Sequence, residues 1–251
     1  MQFRSSRVDF AGLTCRVVDA LPESASPSLL VVLCHGFGAP AEDLVDFAPW
    51  LLDAFPQLQH SVRFVFPAAP MDMTPHGLPG GRAWWPINME RLQEINQAKD
   101  FDQYTVIQPE GLLEASQLLV NAVREMQASF GLDDASTVIG GFSQGAMVSS
   151  DVVLRHQLHP ALMVLFSATL LDRHQWTEFA EKHSGCRVIQ SHGRMDPVLP
   201  FVPATQLRDL LDQNGFEVTF RAFPGEHTIP PDILLSVGES LSELCTRTEA
   251  D

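Results

Sequence analysis

The residue best placed to do chemistry in this chain is a serine between two glycines. The pentapeptide Gly141-Phe142-Ser143-Gln144-Gly145 follows an apolar run with strand character, residues 137–140, and opens a helical pattern. At such a strand-to-helix corner the turn is so tight that only glycine fits two residues before and after the serine. Ser143 is therefore predicted to be an exposed nucleophile at a helix N-terminus, where backbone N–H groups can bind an oxyanion. The alternative is a serine in an ordinary glycine-rich turn.

A nucleophilic serine needs a base to take its proton and a carboxylate to orient that base. In α/β-hydrolases these follow in the order Ser, Asp or Glu, His. His227 is the predicted base, because it lies on the loop after the last strand pattern. Asp196, on the loop after the preceding strand pattern, is the predicted acid, and Asp172 is the alternative acid. A surface histidine and a turn aspartate are the non-catalytic interpretations of these positions.

The loop after the strand pattern at residues 29–33 is expected to supply an oxyanion donor. Its glycines, within Cys34-His35-Gly36-Phe37-Gly38, let backbone N–H groups approach a substrate oxygen. The N–H of Gln144, next to the nucleophile, is the other candidate donor. We expect His35 to have a structural role and Cys34 to be an inert buried thiol.

The remaining histidines after Ser143 are not expected to take part in catalysis. His192 shares its loop with Asp196 and is expected to shape the turn through hydrogen bonds. The others are expected at the surface: His156, His159, His174 and His183.

Alternating strand and helix patterns predict the fold that must position these residues. A hairpin is expected at residues 8–10 and 13–18, and strands at 29–33, 62–66, 137–139, 161–166, 187–189 and 217–220. Helices are expected at 43–55, 109–130, 146–156, 202–214 and 231–245. This order predicts an α/β fold with a mostly parallel central sheet and helices on both faces. The length suits a single domain over residues 1–251.

One segment, residues 68–108, interrupts the alternation. It contains several prolines, the pair Trp84-Trp85 and a polar stretch at residues 90–102. Because it is too long for a simple connection, we expect it to form a lid-like cover over the site. Phe37, Trp84 and Trp85 would suit an acyl chain or an aryl ester, and packing within the lid is the alternative for the two tryptophans.

Composition and charge exclude several classes of partner. The formal net charge of −15, from 16 Lys+Arg against 31 Asp+Glu, argues against nucleic acid and against docking on anionic membranes. No apolar run approaches the length of a membrane span, so stable membrane insertion is not expected. Residues 1–7 lack the apolar region of a signal peptide, which favours a cytoplasmic location.

The four cysteines have no spacing typical of a metal site. They are widely scattered and include no CxxC motif: Cys15, Cys34, Cys186 and Cys245. We therefore expect no structural metal and predict free thiols, with two disulfides as the alternative.

Several sequence blocks, taken together, resemble the phospholipase/carboxylesterase family, which includes the acyl-protein thioesterases and small bacterial esterases. In order, they are His35-Gly36-Phe37-Gly38, Phe66-Pro67-Ala68-Ala69-Pro70, Arg82-Ala83-Trp84-Trp85, Gly141-Phe142-Ser143-Gln144-Gly145, His192-Gly193 with Asp196-Pro197-Val198, and Gly225-Glu226-His227. The resemblance covers about residues 29–245 and implies an α/β-hydrolase with Ser143 as nucleophile, Asp196 as acid and His227 as base. It also implies oxyanion donors at the N–H groups of Phe37 and Gln144.

Two features depart from this family pattern, and both fall near the expected acyl or lid region. Pro86 follows the tryptophan pair where many relatives carry an aspartate, and residues 87–104 form a longer stretch than the thioesterases' short connection. Neither departure touches the expected chemistry, but both bear on the choice of substrate.

The expected activity is hydrolysis of a small-molecule or lipid-like ester or thioester through an acyl-enzyme, without a metal or organic cofactor. A dienelactone-hydrolase-like enzyme is one alternative, although that fold favours a cysteine nucleophile. A non-catalytic binding module of the hydrolase fold is the other, and loss of a triad residue is its usual sign. Here Ser143, Asp196 and His227 are all present.

Overall fold

The structure, a computed structural model, describes residues 3–22 and 25–248. This part of the chain contains ten strands and eight α-helices. The strands are β1 (Arg4–Phe10), β2 (Leu13–Asp19), β3 (Leu29–Cys34), β4 (Val62–Pro67), β5 (Met71–Asp72), β6 (Arg82–Ala83), β7 (Thr137–Phe142), β8 (Leu162–Phe166), β9 (Arg187–Gly193) and β10 (Glu217–Phe223). The helices are α1 (Phe47–Ala54), α2 (Met89–Ala98), α3 (Phe101–Val106), α4 (Leu112–Phe130), α5 (Gln144–Arg155), α6 (Arg173–Lys182), α7 (Phe201–Gln213) and α8 (Pro231–Thr248).

Eight of the strands form one sheet in the order β1-β2-β4-β3-β7-β8-β9-β10. The β1–β2 and β2–β4 pairs are antiparallel, and every following pair in that order is parallel. The β1–β2 hairpin turns through Ala11 and Gly12, whose φ angles of 46° and 86° suit a tight two-residue turn. The predicted mostly parallel central sheet is thus confirmed.

Strand β3 contributes to two hydrophobic clusters, because successive side chains of a strand point to opposite faces of the sheet. Leu30 and Val32 belong to a cluster that includes residues of α4 and α5. Leu29 and Val31 belong to a second cluster that includes residues of α1 and α8. Helices therefore cover both faces, and the carboxyl ends of the parallel strands meet at one edge, where ligands bind in such sheets.

Residues 68–108, the interruption predicted from the sequence, form β5, β6, α2 and α3. Helix α2 begins after Asn88, whose side chain accepts a hydrogen bond from Arg91 N–H at 2.9 Å. Trp84 and Trp85 directly follow β6 and are buried, at 2% and 3% exposure. The segment is therefore ordered and packed, and its role as a lid stays a prediction.

The predicted surface position of His183 is wrong. Its Nε2 donates to Leu158 O at 2.8 Å and its Nδ1 accepts from Gly185 N–H at 2.9 Å, and its side chain is buried. The sequence pattern did not predict α2, α3 or α6, because polar residues dominate α2 and α6 and because α3 is only six residues long. Helix α6 instead depends on a tertiary contact, in which the buried Trp176 donates its Nε1–H to Asp151 Oδ1 at 2.8 Å.

The limits of the other predicted elements shift by a few residues. The first strand begins at Arg4 rather than at residue 8, and α1 begins at Phe47 rather than at residue 43. Within the described part of the chain, no helix is both long and apolar enough to cross a membrane. A single domain over residues 1–251 stays a prediction.

Candidate active site

Ser143 lies between the end of β7 and the start of α5, with a backbone of φ 55° and ψ −119°. This conformation is rarely adopted by residues with a side chain. A Cβ atom at Gly141 would lie 2.1 Å from Cys34 O, and one at Gly145 would lie 2.0 Å from the same oxygen. The two glycines are therefore required by the close approach of the corner to the end of β3.

Asp196 and His227 form a hydrogen-bonded pair on the loops after β9 and β10. His227 Nδ1 lies 2.6 Å from Asp196 Oδ2. Asp196 Oδ1 accepts from the N–H groups of Val198 at 2.8 Å and Leu199 at 2.9 Å. These donors stabilise the buried carboxylate, since hydrogen bonds to an ionised acceptor are strong. With its proton on Nδ1, a neutral His227 ring has its lone pair on Nε2 and can act there as a base.

The His227 ring lies beside the strand-to-helix corner that carries Ser143. The ring centroids of Phe142 and His227 are 4.6 Å apart, and Phe142 directly precedes Ser143. Ser143 and His227 both line a cavity of about 440 Å³. Its lining is mainly apolar and includes Phe37, Trp85, Leu92, Ile95, Met147 and Leu171. Such a cavity has the size and the polarity of a small-molecule site.

The loop after β3 lies directly against Ser143. A Cβ atom at Gly36 would lie 3.4 Å from Ser143 Cβ. Strand β6 fixes this loop, because Gly38 N–H donates to Arg82 O at 2.8 Å and Arg82 N–H donates to Ala39 O at 3.0 Å. Phe37, between Gly36 and Gly38, lines the cavity. Its hydrogen bonds to β6 therefore hold the loop beside Ser143.

Gln144 occupies the first turn of α5, where backbone N–H groups have no partner within the helix. Its side chain links α5 to the tryptophan pair. Gln144 Oε1 accepts from Trp84 N–H, and Gln144 Nε2 donates to Trp85 O, both at 2.8 Å. Gln144, the residue after Ser143, thus holds the inserted segment against the site.

The two tryptophans occupy different environments. Both belong to the same hydrophobic cluster, but only Trp85 also lines the cavity, whereas Trp84 donates its Nε1–H to His35 O at 3.0 Å. Of the three residues predicted to contact an acyl group, Phe37 and Trp85 line the cavity and Trp84 does not. Trp84 instead supports the loop after β3.

Two neutral histidines form hydrogen bonds that hold the loop after β3 and the loop after β9 in shape. His35 Nδ1 donates to Gly36 O at 2.9 Å, and its Nε2 accepts from Ala69 N–H at 3.1 Å. His192 Nε2 donates to Leu199 O at 2.8 Å and lies 3.3 Å from Asp196 Oδ2. Burial lowers the pKa of both His35 and His192, because it disfavours the charged imidazolium.

Asp172, the alternative acid, is engaged elsewhere. Its carboxylate lies 3.4 Å from Arg155 Nη2 at the start of α6. Burial raises the pKa of Asp172, although the Arg155 charge opposes this shift. Asp196, and not Asp172, carries the hydrogen bond to His227.

Sequence reasoning missed the residues that α2 and α3 bring to the cavity. Leu92, Ile95 and Tyr104 line it, and Tyr104 OH lies 3.1 Å from Thr169 Oγ1. Burial raises the pKa of Tyr104 to about 12, so this phenol is neutral at ordinary pH. The three-residue spacing of Leu92 and Ile95 within a polar stretch was the available signal.

The thiols of Cys15, Cys34 and Cys186 are free, as predicted. Burial raises the pKa of Cys15 and of Cys186 to about 12 and also raises that of Cys34, so none is a reactive thiolate. Among the described residues, no group of three or more His, Cys, Asp or Glu side chains is placed to hold a metal ion.

The geometry of this site agrees with a comparison of the whole chain with known families. The Phospholipase/Carboxylesterase family model matches residues 17–245. The chain belongs to the phospholipase/carboxylesterase family. This member of the family is similar to an acyl-protein thioesterase 1 of Eremothecium gossypii. The two are 28% identical over 209 residues, which cover 81% of this chain and 82% of the thioesterase.

Solved structures of esterases share the architecture of this family member. The crystal structure of esterase PE8 is 25% identical, with a TM-score of 0.72 over 97% of this chain and 100% of that one. A carboxylesterase from Mesorhizobium loti, 20% identical, has the same fold, with a TM-score of 0.72 over 95% of this chain and 98% of that one. The α/β-hydrolase fold predicted from the sequence is thus confirmed.

Proposed function

We propose that the chain is a serine hydrolase that cleaves carboxylic esters or thioesters through an acyl-enzyme, of the carboxylesterase, lysophospholipase or acyl-thioesterase type. One observation supports this most directly. His227 is hydrogen-bonded to Asp196 at 2.6 Å and lines the same cavity as Ser143. The similarity to an acyl-protein thioesterase and to esterases points to the same chemistry.

In the proposed mechanism, His227 Nε2 takes the proton of Ser143 as Oγ attacks the acyl carbon. The N–H groups of Phe37 and Gln144 stabilise the tetrahedral oxyanion. His227 then gives its proton to the leaving oxygen or sulfur, and water releases the acid from Ser143. Asp196 holds the His227 ring with its proton on Nδ1 and stabilises the imidazolium that forms.

The proposed substrate is a small-molecule or lipid-like ester whose acyl group occupies the apolar cavity beside Trp85. The chemistry needs no metal or organic cofactor. We retain as proposals that residues 68–108 cover this cavity and that the protein acts in the cytoplasm without inserting into a membrane.

Labelling with a fluorophosphonate tests this proposal, because only an activated serine reacts. The wild type should be labelled, and Ser143→Ala should abolish labelling and lower esterase kcat by about 10³-fold or more. Ser184→Ala, which changes an exposed serine after α6, is the matched control and should behave as the wild type. Turnover is measured on a panel of p-nitrophenyl esters, acyl thioesters and lysophospholipids.

Two outcomes would contradict the proposal. Near-wild-type turnover by folded Ser143→Ala would remove this serine from the mechanism. An unlabelled, inactive wild type would favour the non-catalytic binding module.

A further inference from the structure

Helix α2 of the inserted segment is joined to the loop of the catalytic acid by a hydrogen bond. Asn96 Nδ2 donates to Val198 O at 3.0 Å, although the two residues are 102 positions apart in the sequence. The preceding residue, Ile95, lines the cavity. The same turn of α2 therefore contacts both the expected acyl site and the acid loop.

This hydrogen bond continues into the Asp196–His227 pair through one peptide group. Val198 C=O and Leu199 N–H belong to the same planar peptide unit. Its N–H donates to Asp196 Oδ1 at 2.9 Å, and Asp196 Oδ2 accepts from His227 Nδ1 at 2.6 Å. The Asn96 amide and the Leu199 N–H thus form a donor chain that ends at the Asp196 carboxylate, which also accepts from His227. In a buried site each bond of such a chain polarises the next one.

The orientation of the Asn96 amide is fixed by this contact. Exchange of its nitrogen and oxygen would set Oδ1 against Val198 O, with two acceptors facing each other. In the observed orientation Oδ1 is buried and has no hydrogen-bond partner in the described part of the chain. An unpaired buried acceptor is unfavourable, so the amide contributes through its donor and not through its oxygen.

We propose that Asn96 is a positioning residue for the catalytic acid, so that α2 completes the active site as well as lining its cavity. The inference rests on the proposed roles of Asp196 and His227. Asn96 fixes the peptide that presents Leu199 N–H to Asp196, while His192 holds Leu199 O at 2.8 Å. Withdrawal of α2 would release this peptide and leave the carboxylate less firmly oriented toward His227.

The test compares Asn96→Leu and Asn96→Asp, which keep the side-chain size but remove the donor to Val198 O. Each should lower kcat roughly 10- to 100-fold with little change in KM, because a shift in a supporting residue misplaces the catalytic groups. The loss should be equal for an acetyl ester and a long-chain ester. Gln97→Leu, which replaces the exposed neighbouring amide on the same helix, is the matched control and should retain wild-type kcat.

A spectroscopic measurement separates positioning from general packing. The proton on His227 Nδ1, in its 2.6 Å bond to Asp196, is expected to give a far-downfield ¹H NMR signal, and the loss of that signal in His227→Ala would assign it. That signal should shift or broaden in Asn96→Leu and stay unchanged in Gln97→Leu. Circular dichroism checks that each variant is folded. Because Asn96→Leu and Asn96→Asp differ in polarity, one of them can still test the inference if the other is unstable.

Wild-type kcat together with an unshifted downfield signal in a folded Asn96 variant would overturn the inference and leave the proposed function intact. A loss confined to long-chain esters would also overturn it, because Asn96 would then act only through the cavity wall. Failure of Ser143→Ala to reduce the wild-type activity would instead overturn the proposed function itself.

Discussion

At Ser143 the backbone is held in a conformation that costs about 1–3 kcal/mol. The surrounding packing enforces it, because Gly141 and Gly145 bring the corner to within contact of Cys34 O. Only glycine satisfies that packing, which is why two glycines around a serine, between a strand pattern and a helix pattern, predicted the strand-to-helix corner. The Asp196–His227 contact could be predicted only as an order along the chain, since its geometry depends on the two loops.

The residue-scale prediction concerns the three groups as a unit. His227→Ala and Ser143→Ala should each lower kcat by about 10³-fold or more, and the double variant should cost little more than either alone, because the groups act together. The measurement is kcat of the purified single and double variants on one p-nitrophenyl ester. Losses that multiply in the double variant would contradict the pairing.

The acid is tested by a matched pair of amides. Asp196→Asn should lower kcat by about 10⁴-fold, because the amide no longer holds the His227 ring in the required tautomer. Asp172→Asn, which affects the contact with Arg155, should leave kcat close to that of the wild type. The reverse result would show that the acid is misassigned.

At the scale of secondary structure, the sequence predicted the buried strands and the long amphipathic helices. Runs such as β3 are apolar throughout because both faces of the strand are covered. Helices α2 and α6 were not predicted, because a few tertiary contacts stabilise them against a polar composition. Helix α3, with six residues, is too short to show a helical period. In α6 the contact is between Trp176 and Asp151. In α2, Leu92 and Ile95 are buried and Asn96 binds the acid loop.

The element-scale prediction separates the two tryptophans of the inserted segment. Trp85→Ala should lower kcat/KM more for a long or aromatic acyl ester than for an acetyl ester, because it removes an apolar cavity contact. For the preferred ester, the loss of transition-state stabilisation should be about 1–3 kcal/mol. Trp84→Phe should lower kcat/KM by similar factors at every chain length, because it removes the Nε1–H bond to His35 O. The measurement is kcat/KM over an ester chain-length series.

For this prediction, fluorophosphonate labelling of Ser143 should persist in both variants. Equal losses at all chain lengths in Trp85→Ala would contradict the lid hypothesis and assign Trp85 to fold packing.

Across the whole molecule, several histidines are buried in the folded state, which favours their neutral form. Burial lowers the pKa values of His35, His183 and His192 below those of the unfolded chain. Protonation of His183 would break one of its hydrogen bonds, because its Nδ1 accepts from Gly185 N–H at 2.9 Å and a protonated Nδ1 cannot accept. The sequence could not predict this property, since it depends on burial and not on residue order.

The whole-molecule prediction is a loss of stability in mild acid. As the pH falls through about 6.5, the ordinary pKa of histidine, the unfolded chain binds more protons than the folded one. The free energy of unfolding therefore decreases as the pH falls below this value. This window lies above the carboxylate range near pH 4. Urea unfolding between pH 7.5 and 5 measures it, and His183→Gln should weaken the dependence. A free energy of unfolding that is constant over this range would contradict the prediction.

The base of the proposed triad is carried by the outermost strand at one side of the sheet. Strand β10 has a single neighbour, β9, and His227 follows directly on its loop, whereas Ser143 follows β7 near the middle of the sheet. Outer strands fray more easily than inner ones, since fewer contacts hold them. Fraying at β10 would separate base from nucleophile while the central strands stayed paired. Heat inactivation would then report the local opening of one strand, and most of the polypeptide could still be native when the last activity is lost.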